Sequence, residues 1–361
     1  MSSIESAVSA LQTEMSNPLA EDLAAILAAT GESWEELRSK QLFITGGTGF
    51  FGCWLLESFL YANEKLNLDA SATVLTRNFS AFERKVPHLA NNPALKFISG
   101  DVSSFNFPAV EFSHVIHAAT DVSAHASPLQ TLETIVSGTR RVLDFTSGCN
   151  AQKFLFVSSG AVYGKQPTTL SHIGEDYNGA PDCTNPNSAY GEGKRAAELF
   201  CAAFAAEYNF EVKIARCFAF VGAYLSLEGN LAVGNFLRNA IDGKTIRIGG
   251  DGTPLRSYLY AADLTVWLWT VLFRGESGSA YNVGSDEEIS IADLAGLINE
   301  ISGNAGKVEI ANKPNPESPV ARYVPSVEKA FAELGLSATV DLKSAIEKTL
   351  NFHKQLRTAN L

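Results

Sequence analysis

The sequence has no apolar stretch that approaches the roughly 20 residues a membrane-spanning helix needs, so we expect no membrane as a partner. Positively charged residues are also few. The sequence has 28 Lys and Arg residues and 39 Asp and Glu residues, and its formal net charge is −11 at pH 7. A surface with this balance of charge argues against nucleic acid as a partner. Any anionic ligand would have to be held by local arginine or lysine residues.

Cysteine and histidine are too few, and too scattered, for two further kinds of site. The five cysteines lie at positions 53, 149, 183, 201 and 217 without a C-x-x-C motif, which excludes a disulfide framework and is typical of a reducing compartment. The histidines and carboxylates show no metal-ligand spacing, so we expect no metal site. The N-terminal region has no basic segment and carries Glu5 and Glu14, which does not resemble a signal peptide. These features predict a cytoplasmic protein.

What the sequence does have is a long alternation of strand-like and helix-like segments. With 361 residues, 46% of them hydrophobic, the chain can bury a large core. The alternation begins at residue 41 and predicts an α/β fold with a doubly wound parallel sheet. Strands are predicted at 42–45, 72–76, 95–98, 113–117, 153–158 and 212–216, and helices at 50–61, 127–147, 188–207 and, more weakly, 79–90. After residue 217, short strands predicted near 245–248 and 281–283 mix with helices.

A glycine-rich turn follows the first predicted strand. The segment from Gly46 to Gly52 reads G-G-T-G-F-F-G, and an apolar helical segment follows it. Glycines at this junction allow a tight turn and let the backbone approach a pyrophosphate at the start of the helix. The motif predicts a dinucleotide site that includes Gly46, Thr48, Gly49, Phe50, Phe51 and Gly52.

Three residues further along form a candidate catalytic group. Tyr190 and Lys194 are four residues apart, so on a helix they share a face. A free tyrosine has a pKa near ~10, and a neighbouring ammonium group would lower that pKa and make the phenol a useful acid and base. The Ser159 hydroxyl, some thirty residues upstream, could hold the reacting oxygen.

Four motifs together resemble a known family. They are G-G-T-G-F-F-G at 46–52, H-A-A-T at 117–120, S-S-G-A-V-Y-G at 158–164 and Y-G-E-G-K at 190–194. The chain is similar to the extended short-chain dehydrogenase/reductases, and within them to the nucleotide-sugar epimerase/dehydratase branch, from about residue 41 to 335. The resemblance implies a Rossmann-type NAD(P)-binding domain over 41–217. It also implies a smaller mixed α/β substrate-binding lobe over 218–361, interleaved with that domain. Residues 1–40 are predicted to be a helical extension.

The second predicted strand bears on the choice of cofactor. NAD-selective sites usually carry an acidic residue at its end, whereas here Thr76 stands at that place and Arg77 follows. Because an arginine can pair with a 2′-phosphate, the sequence favours NADP over NAD. The family resemblance adds Asp101 and Val102 near the adenine, and Ala118, Ala119 and Thr120 under the nicotinamide ribose.

The resemblance also implies residues that bind a nucleotide-sugar substrate. Arg256 and Arg322 would grip the diphosphate, with Asn235 nearby, although each arginine could instead form a surface salt bridge. Asp121 and Ser123 follow the fourth strand, where family members place groups that face the substrate. Asp121 or His125 could also provide additional acid-base chemistry. Each of these residues could equally be a loop or helix-cap residue.

Two departures from the family pattern affect the predicted reaction. Ala219 stands where the family often has an asparagine that contacts the diphosphate. Gly160 and Ala161 stand where sugar 4,6-dehydratases carry an Asp-Glu pair that moves protons. Neither side chain can do so, which disfavours dehydration and decarboxylation.

The predicted function is therefore hydride transfer at carbon 4 of a nucleotide sugar, most simply by a 4-epimerase. The alternatives are an NADPH-dependent 4-keto-sugar reductase, a 4,6-dehydratase as a weaker candidate, and a dinucleotide-binding protein without catalytic activity. In every enzymatic version Tyr190 is the acid-base group.

Assembly is predicted from the helices at 127–147 and 188–207, through which extended family members usually pair. An apolar stripe on the second helix would lie in the interface of a two-fold dimer, in which the two helices of each chain form a four-helix bundle. The stripe consists of Ala196, Ala197, Phe200, Cys201 and Phe204. The alternative is that this stripe belongs entirely to the core.

Overall fold

The computed structural model describes residues 17–120, 126–229, 231–304 and 306–359. Seven parallel strands form the central sheet, in the order β11, β6, β5, β4, β1, β2, β3. They are β1 (Gln41–Thr45), β2 (Ser71–Thr76), β3 (Leu95–Ser99), β4 (His114–His117), β5 (Lys153–Ser159), β6 (Glu211–Cys217) and β11 (Ala280–Val283). The strand order reverses direction between β1 and β4, and ligands of such sheets bind in the crevice at this point.

The six predicted strands of the sheet are confirmed. Each has an apolar centre, as expected when helices cover the faces of a sheet. The seventh strand was assigned from sequence to the lobe. In the structure, β11 pairs with β6, with Ala280 opposite Ile214, so the chain returns to the main sheet after residue 217. Sequence periodicity could identify this strand but not its neighbour.

Helices flank the sheet on both faces. They are α1 (Ala20–Thr30), α2 (Phe50–Lys65), α3 (Phe79–Lys85), α4 (Pro87–Ala90), α5 (Pro128–Gly148), α6 (Ala189–Glu207), α7 (Ala232–Ile241), α8 (Ala261–Arg274), α9 (Ile291–Ser302), α10 (Glu328–Leu334) and α11 (Leu342–Ala359). The weak helix predicted at 79–90 is divided in two before Pro87, since a proline disfavours helical geometry in the residue before it. Short 3₁₀ turns occupy Gly31–Leu37, Gly160–Tyr163 and Pro186–Ser188.

The described part of the N-terminal extension packs on one face of the molecule. The ring of Trp34 lies 4.6 Å from that of Trp269 in α8, and both side chains are fully buried. The Tyr260 hydroxyl donates to Asp22 at 2.5 Å, and Lys153 forms an ion pair with Glu36 at 2.6 Å. The extension thus completes the core on this face of the molecule.

The remaining strands are two or three residues long and build the lobe. They are β7 (Phe220–Val221), β8 (Ile246–Ile248), β9 (Leu255–Ser257), β10 (Leu259–Tyr260), β12 (Glu288–Ser290), β13 (Val308–Ile310) and β14 (Arg322–Tyr323). One small sheet has the order β12, β9, β14 and brings the segment around Arg256 beside that around Arg322.

Two kinds of feature are absent from the described residues. None of their helices combines the length and apolar character needed to cross a membrane. Across the same ranges, no group of three or more His, Cys, Asp or Glu side chains could hold a metal ion.

Candidate functional site

The glycine turn between β1 and α2 is held so tightly that side chains are excluded. Gly46 has a φ of +75°, and a Cβ there would lie 2.5 Å from the carbonyl carbon of Ala118. A Cβ on Gly52 would lie 2.3 Å from the Gly46 oxygen. Gly49 is looser, since its Cβ would come no nearer than 3.4 Å. The turn therefore presents bare backbone at the start of α2, which is the arrangement that binds a pyrophosphate.

A cavity of about 220 Å³ opens beside this turn. It is lined by nine predicted cofactor residues, namely Gly46, Thr48, Gly49, Arg77, Asp101, Val102, Ala118, Ala119 and Thr120, and also by Leu75, Thr76, Gly100 and Thr134. Phe50 and Phe51, by contrast, do not line it. The Phe51 ring packs edge-on against Phe220 at 5.1 Å, which joins α2 to the lobe.

A buried histidine fixes the loop that forms one wall of the cavity. His117 lies between two hydroxyl groups, with Nδ1 2.7 Å from Thr45 and Nε2 3.0 Å from Thr139. The Thr45 oxygen also accepts the backbone N–H of Ala119 at 3.2 Å. Burial, with a smaller contribution from the Lys194 charge, lowers the pKa of His117 to about 3. The imidazole is therefore neutral and acts as a structural bridge.

The opposite wall carries the residues predicted near the adenosine. Asp101 accepts hydrogen bonds from the backbone N–H of Ser103 at 2.9 Å and from its hydroxyl at 2.5 Å. Val102 contacts α5 at Gly138, where a Cβ would lie 2.8 Å from Val102 Cγ1. Arg77 lies at the rim, directly after β2.

The structure brings Ser159, Tyr190 and Lys194 together at the carboxyl ends of the strands. Ser159 is the last residue of β5, and the other two lie in the first two turns of α6. The Lys194 ammonium donates to the Thr120 hydroxyl at 2.7 Å and to the Val157 carbonyl at 2.8 Å. Since Thr120 lines the cavity, this contact joins the catalytic group to the dinucleotide site.

The protonation of these groups differs from the sequence expectation. Burial raises the pKa of Tyr190, and hydrogen bonding with Ser159 opposes that effect. The Lys194 Nζ lies 6.0 Å from the Tyr190 ring centroid. Lys194 is not among the groups that shift the pKa of Tyr190. Burial also lowers the pKa of Lys194 to about 8. The serine hydroxyl, rather than the ammonium, is the group that favours the phenolate here.

Aromatic side chains form a wall over the loop that follows Ser159. A Cβ on Gly160 would lie 2.7 Å from the end of the Phe218 ring. The Phe218 ring in turn lies 4.6 Å from that of Tyr323 in β14. Phe218 thus fills the space into which a side chain at position 160 would project.

A buried polar network lies beneath the catalytic group. The hydroxyl of Ser158 donates to Glu198 at 2.5 Å, and Glu198 pairs with Arg216 at 2.7 Å. Arg216 also donates to the Tyr163 hydroxyl at 2.9 Å, which donates to Asn282 at 2.7 Å. The network ties β5, α6, β6 and β11 together where Ser159 is positioned.

The predicted substrate residues differ in what they contact. Arg322 forms a salt bridge with Glu288 at 2.6 Å. Arg256 donates to the Leu255 carbonyl at 2.8 Å, and among the described residues no carboxylate pairs with it. Asn235 donates to the Gly229 carbonyl at 3.0 Å. Asp121, Ser123 and His125 lie outside the described residues.

Sequence reasoning missed several residues of this site. Glu198 lies four residues after Lys194, on the same face of α6, so helical spacing could have indicated it. Phe218 and Tyr323 are far from Ser159 in sequence, and no local pattern places them beside it. Thr45 and Thr139 likewise meet His117 only through the tertiary fold.

Comparison with known proteins gives a matching family model and several similar proteins. A family model described as "NAD dependent epimerase/dehydratase family" matches residues 42–284. UDP-glucuronic acid decarboxylase 1 of Xenopus tropicalis is 28% identical over 88% of this chain and 72% of its own length. UDP-glucuronic acid decarboxylase 4 of Arabidopsis thaliana is 29% identical over 91% of this chain and 72% of its own length.

Solved structures share the fold at lower identity. UDP-glucose 4-epimerase from Thermotoga maritima has a TM-score of 0.74 and is 21% identical over 88% of this chain and 99% of its own. UDP-glucuronic acid 4-epimerase from Bacillus cereus, in complex with NAD, has a TM-score of 0.74 and is 22% identical over the same shares. dTDP-glucose 4,6-dehydratase from Bacillus anthracis, also with NAD, has a TM-score of 0.73 and is 20% identical over 88% of this chain and 97% of its own.

These comparisons correct the predicted cofactor. The preference for NADP over NAD is wrong, because the family is described as NAD dependent and the two NAD complexes above share this fold. The sequence prediction depends on Arg77 as a partner for a 2′-phosphate. A guanidinium can equally donate to a ribose hydroxyl or stack on a planar ring, so an arginine after β2 does not identify a phosphate.

The family model covers residues 42–284, which is well over half of the sequence and includes the glycine turn and Tyr190. The resemblance seen in the motifs is confirmed: the chain belongs to the NAD dependent epimerase/dehydratase family.

Proposed function

We propose that this protein is an NAD-dependent nucleotide-sugar 4-epimerase in which Tyr190, Ser159 and Lys194 act at carbon 4. The observation that carries the proposal is the pairing of two hydroxyl groups, those of Ser159 and Tyr190, with a loop that has no carboxyl group at positions 160 and 161. This set can move one proton to and from a sugar hydroxyl and has no second acid-base pair.

The cavity beside the glycine turn fits a dinucleotide. Backbone at Gly46 and Gly49 and the start of α2 would hold the pyrophosphate, and Asp101 and Arg77 would face the adenosine. An ammonium group has three N–H donors, and Lys194 uses two of them on Thr120 and Val157. The third would bond a ribose hydroxyl. Bound NAD supplies a hydride acceptor and donor.

The residues of the chain handle the proton. The Tyr190 phenolate would take the proton from the carbon-4 hydroxyl while Ser159 donates to the same oxygen, and Tyr190 would return the proton after the keto-sugar has turned. Ser159 supports the phenolate against the effect of burial. Because the hydride leaves and returns within one cycle, the reaction has no net redox change.

Arg256 is proposed as the main contact to the substrate diphosphate. Its guanidinium has no paired carboxylate among the residues the structure describes, whereas Arg322 is engaged with Glu288. Both arginines lie on neighbouring strands of the small sheet. Arg322 would therefore act indirectly: its salt bridge with Glu288 would hold the small sheet that carries Arg256 in place.

The curated relatives suggest decarboxylation as a second candidate, since they are named UDP-glucuronic acid decarboxylases. Oxidation at carbon 4 of a uronic acid produces a β-keto acid, and loss of carbon dioxide then requires protonation of carbon 5. An acid at position 160 would meet Phe218, and Ala161 has no proton to give. The site therefore supports epimerisation better.

One experiment separates these candidates. The purified protein is denatured, and the released cofactor is identified by mass spectrometry; we expect NAD. The native protein is then incubated with UDP-glucose and, separately, with UDP-glucuronic acid, and the products are followed by nuclear magnetic resonance. We expect the carbon-4 epimer of at least one of these sugars, with no net change in reduced nicotinamide.

Other products would replace the proposal. A UDP-pentose with carbon dioxide would identify a decarboxylase. Stoichiometric oxidation of added reduced nicotinamide by a 4-keto-6-deoxy nucleotide sugar, without epimer formation, would identify a reductase. Tight NAD binding without turnover of any of these sugars would favour a non-catalytic protein.

A further inference from the structure

A buried glutamine joins the two sides of the proposed substrate site. Gln166 lies in the loop that follows Ser159, residues 160–175, and its side chain is buried. The side-chain oxygen accepts the backbone N–H of Val324 at 3.0 Å. The amide nitrogen donates to two carbonyls of its own loop, at 3.1 Å and 3.0 Å, those of Leu170 and Ser171. One side chain thus shapes this loop and holds a segment of the lobe.

The three bonds fit one orientation of the Gln166 amide. A primary amide has two N–H donors and an acceptor oxygen. If the amide were turned round, its nitrogen would face the Val324 N–H and its oxygen would face two carbonyl oxygens, and both contacts would be repulsive. Both N–H groups and the oxygen are therefore engaged. Because Val324 is fully buried, an apolar side chain at position 166 would leave the Val324 N–H without an acceptor.

The part of the lobe that Gln166 holds is residues 322–326, here called the lobe segment. On one edge it pairs with β9, with Tyr323 opposite Arg256. On the other edge it pairs with Ile173 of the loop through two backbone hydrogen bonds of 3.0 Å and 2.9 Å. The lobe segment therefore lies between the strand that carries Arg256 and the loop that continues from the catalytic serine.

A nucleotide sugar requires a defined separation across this arrangement. Its diphosphate and its carbon-4 hydroxyl belong to one molecule, so Arg256 must lie at a matching separation from Ser159 and Tyr190. A misplacement of about 1 Å between substrate and catalytic groups can reduce the rate by ~100-fold. The bonds of Gln166 act on this separation, because they join the loop to the lobe segment.

We propose that Gln166 is a positioning residue that fixes the loop after Ser159 against the lobe segment, and so sets the separation between Arg256 and the catalytic hydroxyl groups. The catalytic consequence rests on the proposed function, whereas the effect on the lobe segment does not. A nucleoside diphosphate without the sugar contacts the lobe only. Loss of the Gln166 bonds should therefore impair the reaction of the complete substrate and leave the affinity for the free diphosphate unchanged.

The test is Gln166→Met, which keeps the length of the side chain and removes its three hydrogen bonds. With the sugar that the unmodified protein epimerises, we expect kcat to fall by ~10–100-fold. The Kd of UDP, which has the diphosphate and no sugar, should be unchanged in a calorimetric titration. Gln166→Ala replaces this variant if it does not fold, since the space it leaves admits water to the freed backbone groups. The same results are expected of it.

Asn63→Leu is the matched control. The Asn63 amide also bridges backbone groups, because it accepts the Ala70 N–H at 2.9 Å and donates to the Ala70 carbonyl at 3.0 Å. It does so at the amino-terminal end of β2, whereas the site lies at the carboxyl ends of the strands. Loss of this amide should lower Tm and leave both kcat and the Kd of UDP unchanged.

Hydrogen exchange followed by mass spectrometry tests the positioning role without turnover. In the NAD-bound protein without sugar, Gln166→Met should make the peptides covering 166–175 and 322–326 exchange ~5–10-fold faster, the factor for loss of one hydrogen bond. Asn63→Leu should leave both peptides as they are in the unmodified protein. If the unmodified protein epimerises no sugar, this measurement alone decides. Unchanged exchange of both peptides, an unchanged kcat, or a Kd of UDP that rises as much as kcat falls would overturn the proposal.

Discussion

Burial sets the protonation of the groups around the site more strongly than charge does. It raises the pKa of Tyr190, lowers that of Lys194 to about 8 and lowers that of His117 to about 3. Each of these side chains is then stabilised by hydroxyl or carbonyl partners rather than by a counter-ion. The site is thus built from neutral hydrogen bonds, and single hydroxyl groups have large expected effects.

Tyr190→Phe removes the transferable proton while keeping the ring. We expect turnover to fall by at least ~100-fold, the lower range for loss of an acid-base group, because the phenylalanine ring has no group that can take the proton. Released NAD, quantified after denaturation, is the control and should be unchanged. Turnover near that of the unmodified protein would mean that Tyr190 is not the acid-base group.

The lowered pKa of His117 predicts how the free energy of unfolding depends on pH. It stays neutral in the folded protein down to a pKa of about 3, whereas in the unfolded chain it is protonated below its ordinary value of 6.5. The unfolded state therefore binds more protons in this window, and the free energy of unfolding falls as the pH falls. From about pH 7.5 to about pH 5 the contribution of His117 is about 2 kcal/mol.

His117→Gln should reduce that fall, because the amide can bond both threonines but cannot be protonated. Denaturant unfolding at the two pH values measures the difference. His172→Gln is the control, since this side chain is exposed and bonds Ser171 and the Asp286 carbonyl at the surface. If both variants lose stability between the two pH values as the unmodified protein does, His117 is not the group responsible.

At the scale of elements, the turn between β1 and α2 leaves no room for a side chain at Gly52. Gly52→Ala would place a methyl group 2.3 Å from the Gly46 oxygen, which is backbone and cannot move aside. We expect a loss of more than ~2 kcal/mol in the free energy of unfolding, with loss of bound NAD. Gly49→Ala meets only a 3.4 Å contact and should cost less than ~1 kcal/mol. Thermal unfolding compares the two, and equal losses would contradict the geometry.

Strands and motifs were predictable from the sequence where one short segment contains the complete pattern. The six sheet strands are short segments with apolar centres, and the glycine turn and the Tyr190–Lys194 spacing are short patterns. The strands β7, β9, β10, β12, β13 and β14 were missed because two or three residues are too few for a period. Pairing was not predictable either: β11 joins the main sheet, and Tyr323 packs against Phe218, through contacts that no local sequence encodes.

For the whole molecule, the predicted dimer surface is redefined by the structure. Ala197, Cys201 and Phe204 of the predicted stripe are buried in the core of the monomer, and Phe200 packs against that core. The outer faces of α5 and α6 instead expose other apolar side chains. Leu129 is 79% exposed and Leu199 is 72% exposed. Because exposed leucines lie on the two helices of the predicted interface, the dimer remains a prediction.

Light scattering at micromolar concentration tests this prediction. We expect a mass of twice the 38.7 kDa chain, and Leu199→Glu should shift it towards one chain by placing a charge in the interface. Phe331→Glu is the control, because Phe331 is 63% exposed on α10, outside the two helices. A single-chain mass for the unmodified protein would rule the dimer out.

The central claim is that hydride leaves carbon 4 and returns to it on the same bound NAD. UDP-glucose and UDP-glucuronic acid labelled with deuterium at carbon 4 test it most directly, with the protein in ordinary water and no added cofactor. We predict that the carbon-4 epimer of the accepted sugar retains the deuterium at carbon 4, as seen by nuclear magnetic resonance and mass spectrometry. Loss of the label to water, or a UDP-pentose in place of the epimer, would contradict the account.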